Sequence, residues 1–289
     1  MEIIMRKIAF VLTGLVALTF FSCEDSAMDE GEIVTEVSSL DLTTEVTSES
    51  AMEDTDVISD AGFDSFTTTS FSGRAFRDEV LDCATVENDT VNNIITIDYG
   101  EEGCEGRRGR VRKGKIIIEY SGRRFQEGSF RQVTFEDFFV DSTQIEGTRT
   151  ITVTEVDTVE NTVTFDITLE GGKLTFGDGT TATRESRKSR TWFRGQGFAT
   201  VIGSANGVTR EGENYTVEIT EELVFRRACW NPGVFVPVSG VKEYTVGEVT
   251  SIIDYGEGDC DNVATVTTGD SVEEVELQVR GRKRRRIFG

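Results

Sequence analysis

The sequence predicts an all-β protein: a single antiparallel domain, either a β-sandwich or a curled barrel-like sheet of about a dozen strands. Three observations predict it. Beyond Arg74, apolar residues recur at every second position. Turn signals rich in Gly, Asn and Asp separate these runs. No segment past Arg74 carries the 3.6-residue apolar period of an amphipathic helix.

The chain opens differently. Arg6 and Lys7 precede a charge-free run over residues 8–21, too short for a comfortable membrane span and the right length for a signal h-region. Ser22 then supplies a small residue before Cys23, and Glu24 and Asp25 follow. The expectation is a signal peptide over residues 1–22, with Cys23 as a lipid attachment point. Several acyl chains on one cysteine anchor stably where a single chain does not.

Residues 23–73 read as an acidic flexible tether. Residues 1–73 hold 15 of the 52 acidic residues and 2 of the 30 basic ones, leaving 37 against 28 beyond them. So the net charge of −22 falls to −9 over the rest of the chain. With few large apolar residues, the segment lacks the burial needed to offset ordering entropy. A short helix over residues 50–61 is the alternative there, with Met52, Val57, Ile58 and Ala61 as its apolar side.

The β domain is expected over residues 74–279. Tyr215, Val217, Ile219, Leu223 and Phe225 alternate with polar neighbours, as do Val163, Phe165, Ile167 and Leu169, and Ile151 and Val153. Turns are expected at Glu170-Gly171-Gly172, Gly177-Asp178-Gly179, Ala205-Asn206-Gly207 and Asn231-Pro232-Gly233.

Five cysteines fit an exported protein. If Cys23 carries lipid, four remain for two bridges: Cys83, Cys104, Cys229 and Cys260. A pentapeptide is repeated next to two of them. Ile97-Asp98-Tyr99-Gly100-Glu101 leads to Cys104, and Ile253-Asp254-Tyr255-Gly256-Glu257 leads to Cys260 at the same spacing. These are two copies of one disulfide-fastened strand-and-turn device. Among three connectivities, the local pairing of Cys83 with Cys104 and of Cys229 with Cys260 is the natural choice.

Basic residues form rows. A strand over residues 184–194 puts Arg184, Lys188, Arg190, Trp192 and Arg194 on one face, and Arg108, Arg110 and Arg112 form a second row. The tail over residues 280–289 adds Arg282, Lys283, Arg284, Arg285 and Arg286. These groups suit an anionic glycan or lipopolysaccharide phosphates; pairing with neighbouring Glu and Asp is the competing reading. The strong net acidity argues against a nucleic-acid partner.

No histidine is present, which removes His-dependent triads and the commonest metal ligand. No nucleophile elbow, P-loop, dinucleotide fingerprint or zinc spacing is present, so no catalytic residue, metal site or cofactor is expected. A two-carboxylate glycan hydrolase remains a third reading, without a particular pair to carry it.

The N-terminal pattern resembles the lipoprotein signals of diderm bacteria. The two Ile-Asp-Tyr-Gly-x-x-x-Cys segments resemble an uncharacterised family of Bacteroidota outer-membrane lipoproteins, a resemblance that brings no known activity. The leading expectation is a non-enzymatic, lipid-anchored cell-envelope protein at the outer membrane, facing the cell surface or the periplasm, with a binding or structural role. Its expected partners are the membrane, through Cys23, and lipopolysaccharide or an envelope glycan. The alternative is a carrier that cradles a lipid or other apolar ligand in a concave sheet.

Overall fold

The computed structural model describes residues 39–66, 80–106, 110–230 and 236–277. The signal segment, Cys23, the first part of the tether, Arg108, the Asn231-Pro232-Gly233 turn and the tail from Arg282 to Arg286 lie outside the described residues.

Among the described residues the fold is one antiparallel sheet of 14 strands, not closed into a barrel, and one long helix. The strands are β1 (Thr85–Asp89), β2 (Ile94–Asp98), β3 (Cys104–Glu105), β4 (Val111–Tyr120), β5 (Phe130–Val140), β6 (Thr143–Asp157) and β7 (Thr162–Thr175). They continue as β8 (Thr181–Phe193), β9 (Phe198–Val208), β10 (Asn214–Arg226), β11 (Ser239–Val246), β12 (Val249–Glu257), β13 (Val263–Thr268) and β14 (Ser271–Glu276). The short β3 pairs only with β4, β2 lies between β1 and β4, and from β5 onward each strand pairs with its neighbours in sequence, so that β1 and β14 form the two edges. The sandwich expectation is therefore replaced by the curled single sheet.

Strand alternation follows the sequence. In β10, Tyr215, Val217, Ile219, Leu223 and Phe225 are buried, while most of their neighbours face outward. Two expected turns are instead parts of strands. Asn206-Gly207 lies inside β9, paired on both sides. A Cβ on Gly207 would sit 2.0 Å from the Thr183 carbonyl oxygen and 3.0 Å from the Tyr215 ring, so the glycine serves close approach. Glu170-Gly171-Gly172 lies inside β7 as a bulge, with Gly171 at φ +62°. Gly177-Asp178-Gly179 does turn the chain between β7 and β8.

Both disulfides join as the spacing suggested, Cys83 to Cys104 and Cys229 to Cys260. The repeated pentapeptides are also alike in conformation. Asp98 accepts a hydrogen bond from the Gly100 N–H at 2.8 Å, and Asp254 accepts one from the Gly256 N–H at 2.8 Å. Both glycines have positive φ, and Tyr99 and Tyr255 are both buried.

The largest departure is in the acidic segment. Residues Ser39–Asp64 form helix α1, so the flexible-tether expectation fails over that stretch. The short alternative over residues 50–61 identified the helix but not its extent. Its C-terminal half packs Ile58, Ala61 and Phe63 among Ile97, Ile116, Ile118 and Val133 of the sheet. Gly62 passes so close to β2 that a Cβ would meet the Ile97 side chain at 2.6 Å.

Burial around α1 explains how the sheet is shaped. A helix lying on a flat sheet hides a stripe of about 100°. In α1, Leu42, Glu45, Glu49, Met52, Thr55, Asp56, Ile58, Ser59, Ala61 and Phe63 are all buried. At 3.6 residues per turn these positions cover roughly 260° of the circumference. The sheet curls around the helix, and α1 belongs to the core.

Candidate functional site

The sequence of α1 carries eight carboxylates and no Lys or Arg. Steps of three or four residues place Glu45, Glu49, Glu53, Asp56, Asp60 and Asp64 in one stripe, with Asp54 on the opposite side. Like charges a turn apart oppose the helix, so cations must come from elsewhere. They come from the sheet interior.

Lys242 of β11 reaches both Glu45 (3.1 Å) and Glu49 (2.6 Å). On β8, Arg184 also grips Glu45, Lys188 grips Glu49 and Arg190 grips Glu53. Arg149 of β6 clamps Asp56 through Nε and Nη2. Arg124 and Arg131 share Asp60, and Arg124 also takes Asp64. Arg110 and Arg112 both hold Asp54 at 3.0 Å.

Geometry makes the match possible. Two strand residues advance about 6.6 Å and four helix residues about 6 Å. The Lys188–Arg190 step along β8 therefore keeps pace with the Glu49–Glu53 step along α1. Asp54 and Asp56 face opposite ways, yet both meet guanidinium groups, which requires strands on both sides of the helix.

The electrostatics follow from this enclosure. Burial pushes the Glu49 carboxyl up, but Lys188, Lys242 and Arg184 together outweigh it and hold the group well below its ordinary range. For Glu45, burial is likewise overcome by Arg184 and Lys242, and for Asp54 by Arg112 and Arg110. Asp60 is lowered against burial by Arg124 and Arg131. Burial lowers Lys242, but Glu49, Tyr255 and Glu45 carry it well above its usual value. Lys188 goes the other way, because burial and the nearby Arg184 exceed the pull of Glu49 and Glu53. Burial also pushes the Tyr215 and Tyr255 hydroxyls up to about 12. Tyr215 donates its hydroxyl hydrogen to the Thr183 carbonyl at 3.0 Å.

The expected basic face of β8 is real, but it points inward. Arg184, Lys188 and Arg190 already bind anionic groups, those of their own chain. Trp192 is buried among Ile151, Val163, Phe165 and Ala199 rather than offered to a sugar. Arg194 lies past the strand end, its guanidinium 5.4 Å from the centre of the Phe125 ring. The sequence reading missed Lys242, Arg149 and Arg131 and all of their partners. A signal for them existed: each occupies a core-facing phase, in Lys242-x-Tyr244, Arg149-x-Ile151 and Arg131-x-Val133.

Compared with known proteins, the chain matches no family model, no curated protein and no solved structure.

Proposed function

We propose that this chain is a lipid-anchored, non-enzymatic protein of the bacterial outer membrane with a binding or structural role, fastened through Cys23. The observation that carries the non-enzymatic reading is the filled interior. A glycan hydrolase needs a carboxyl held up in pKa as its general acid. Glu45, Glu49, Asp54 and Asp60 are all moved the opposite way. A carrier of apolar ligands needs an apolar cradle, whereas the sheet along α1 presents Arg112, Arg149, Arg184, Lys188, Arg190 and Lys242. Such a lining does not suit an acyl chain.

The helix also shortens the arm of the proposed anchor. Only residues 24–38 separate Cys23 from α1, a reach of at most about 50 Å. The β domain would ride close to the membrane. Lipopolysaccharide phosphates or an envelope glycan remain the proposed partners, met by the tail from Arg282 to Arg286 rather than by β8. Metabolic labelling with a fatty acid tests the anchor. Wild-type chain should take the label and Cys23→Ala should not; equal labelling of both would refute it.

A further inference from the structure

We propose that the free edge of β14 is a docking site for the chain's own basic C-terminal segment, which pairs with it as one more antiparallel strand. Among the described residues β14 ends the sheet, and nothing pairs with its outer side. Such an edge offers a row of unpaired N–H and C=O groups that an extended segment can take up.

The side chains of the edge define the occupant. β14 reads Ser271-Val272-Glu273-Glu274-Val275-Glu276, and its three glutamates are exposed. Among the described residues none of the three has a cationic partner. They stand on both faces of the strand. Glu274 and Glu276 share the outer face with Val272, whereas Glu273 shares the inner face with Val275, which packs against the core. Val272 is 65 % exposed, and its cross-strand row continues through Thr267 to Ile252, itself 42 % exposed. An occupant therefore needs cations on both faces and an apolar side chain level with Val272. The edge of a second copy does not qualify. There β1 presents Glu87 and Asp89, and β14 its own glutamates, so like charges would face each other.

Residues 278–289 do qualify. They hold six cations, Arg280, Arg282, Lys283, Arg284, Arg285 and Arg286, and then Ile287. They also depart from a suitable place. Leu277 is buried and donates its N–H to the Asn262 carbonyl, which fixes the chain one residue past the end of β14. A turn over residues 278–281 puts Gly281 last, where a hairpin returns through a positive φ. In that register Lys283 falls opposite Glu276, Arg285 opposite Glu274, Arg286 opposite Glu273 and Ile287 opposite Val272. Each acid of the edge meets a cation, and the exposed valine meets an apolar side chain. A turn this short holds the segment at an effective concentration on the order of millimolar, which suits pairs that are individually weak. Arg280, Arg282 and Arg284 stay unmatched and free for the phosphates proposed above, but the docking does not depend on that reading.

Hydrogen exchange of the β14 amides, in purified full-length chain without membrane, tests the docking. A tail variant carrying Lys283→Glu, Arg285→Glu and Arg286→Glu leaves the sheet untouched. It should speed exchange in β14 about tenfold while β6 and β7 keep their wild-type rates. Glu273→Lys, Glu274→Lys and Glu276→Lys together should do the same, and a chain with all six changes should recover slow exchange. Unchanged exchange in the tail variant overturns the proposal. So does a six-change chain in which β13 stays protected and β14 does not recover. Protection of β14 that falls on dilution of the wild-type chain would put another copy's segment on the edge and overturn the assignment to the chain's own. Ile287→Asp checks the register: it should speed exchange in β14, and a wild-type rate there overturns the pairing with Val272.

Discussion

Arg149 and Asp56, 93 residues apart in the chain, form a two-pronged ion pair inside the sheet, at 2.5 Å from Nε to Oδ1 and 2.7 Å from Nη2 to Oδ2. Arg149 is 2 % exposed, so removing its partner strands a buried charge. Asp56→Ala should cost about 3–5 kcal/mol, read from the midpoint of urea unfolding. Replacing both residues together, Asp56→Leu with Arg149→Met, should cost far less, because the desolvation of both charges is relieved at once. An unchanged midpoint in Asp56→Ala would mean that α1 does not dock as described.

The two bridges make a separate prediction. Peptide mapping without reductant should recover Cys83–Cys104 and Cys229–Cys260. Removing either pair by Cys→Ala substitution should cost about 3 kcal/mol in the chain-entropy picture. A Cys104–Cys260 peptide would contradict the fold, because β3 and the β12–β13 turn belong to distant parts of one open sheet.

What the sequence made legible were the parts governed by local rules. Period-two alternation places β6, β7 and β10, and the repeated Ile-Asp-Tyr-Gly-Glu anchors both disulfides, because each depends on residues a few positions apart. Gly207 and Gly172 were misread because a glycine forced by close approach looks like a glycine forced by a turn. One meets the Thr183 carbonyl and the other the Arg184 carbonyl, both on β8. The acidic helix was hidden for a deeper reason. Judged alone, residues 39–64 are too polar and too self-repelling to fold, and that judgement is correct for the isolated segment. Their partners, such as Lys242, lie nearly 200 positions away. Composition measures what a segment can bury by itself, not what another segment brings to it.

Glycine substitutions test the corrected turns. Gly207→Ala should be costly, by about 2 kcal/mol or more, since the new methyl collides with backbone that the β8–β9 ladder holds in place. Gly171→Ala meets nothing within 4 Å and should cost only about 1 kcal/mol, the strain of its positive φ. Equal costs would show that Asn206-Gly207 is a turn after all.

Acid should release the helix, and the sign follows from the carboxylates. Glu45 and Glu49 lie below the ordinary 4.5 in the folded chain, and Asp54 and Asp60 below the ordinary 3.8. Between the ordinary and the lowered values, the unfolded chain binds protons that the folded chain does not, so stability falls as pH falls. The contribution is complete above the ordinary values and is lost as pH drops through the depressed ones. Protonating Glu49 is the most damaging step, because it leaves Lys188 and Lys242 buried beside Arg184 with one fewer counter-charge. Urea midpoints should be level near pH 6 and fall steeply by about pH 3. Glu49→Gln should lower the midpoint at neutral pH and flatten its acid slope, since a group that no longer titrates cannot contribute to the linkage. Added salt should change the acid transition little, because these pairs are enclosed and poorly screened. A midpoint that stays level from pH 6 to about 3 would show that the carboxylates of α1 face water rather than the cations of the sheet.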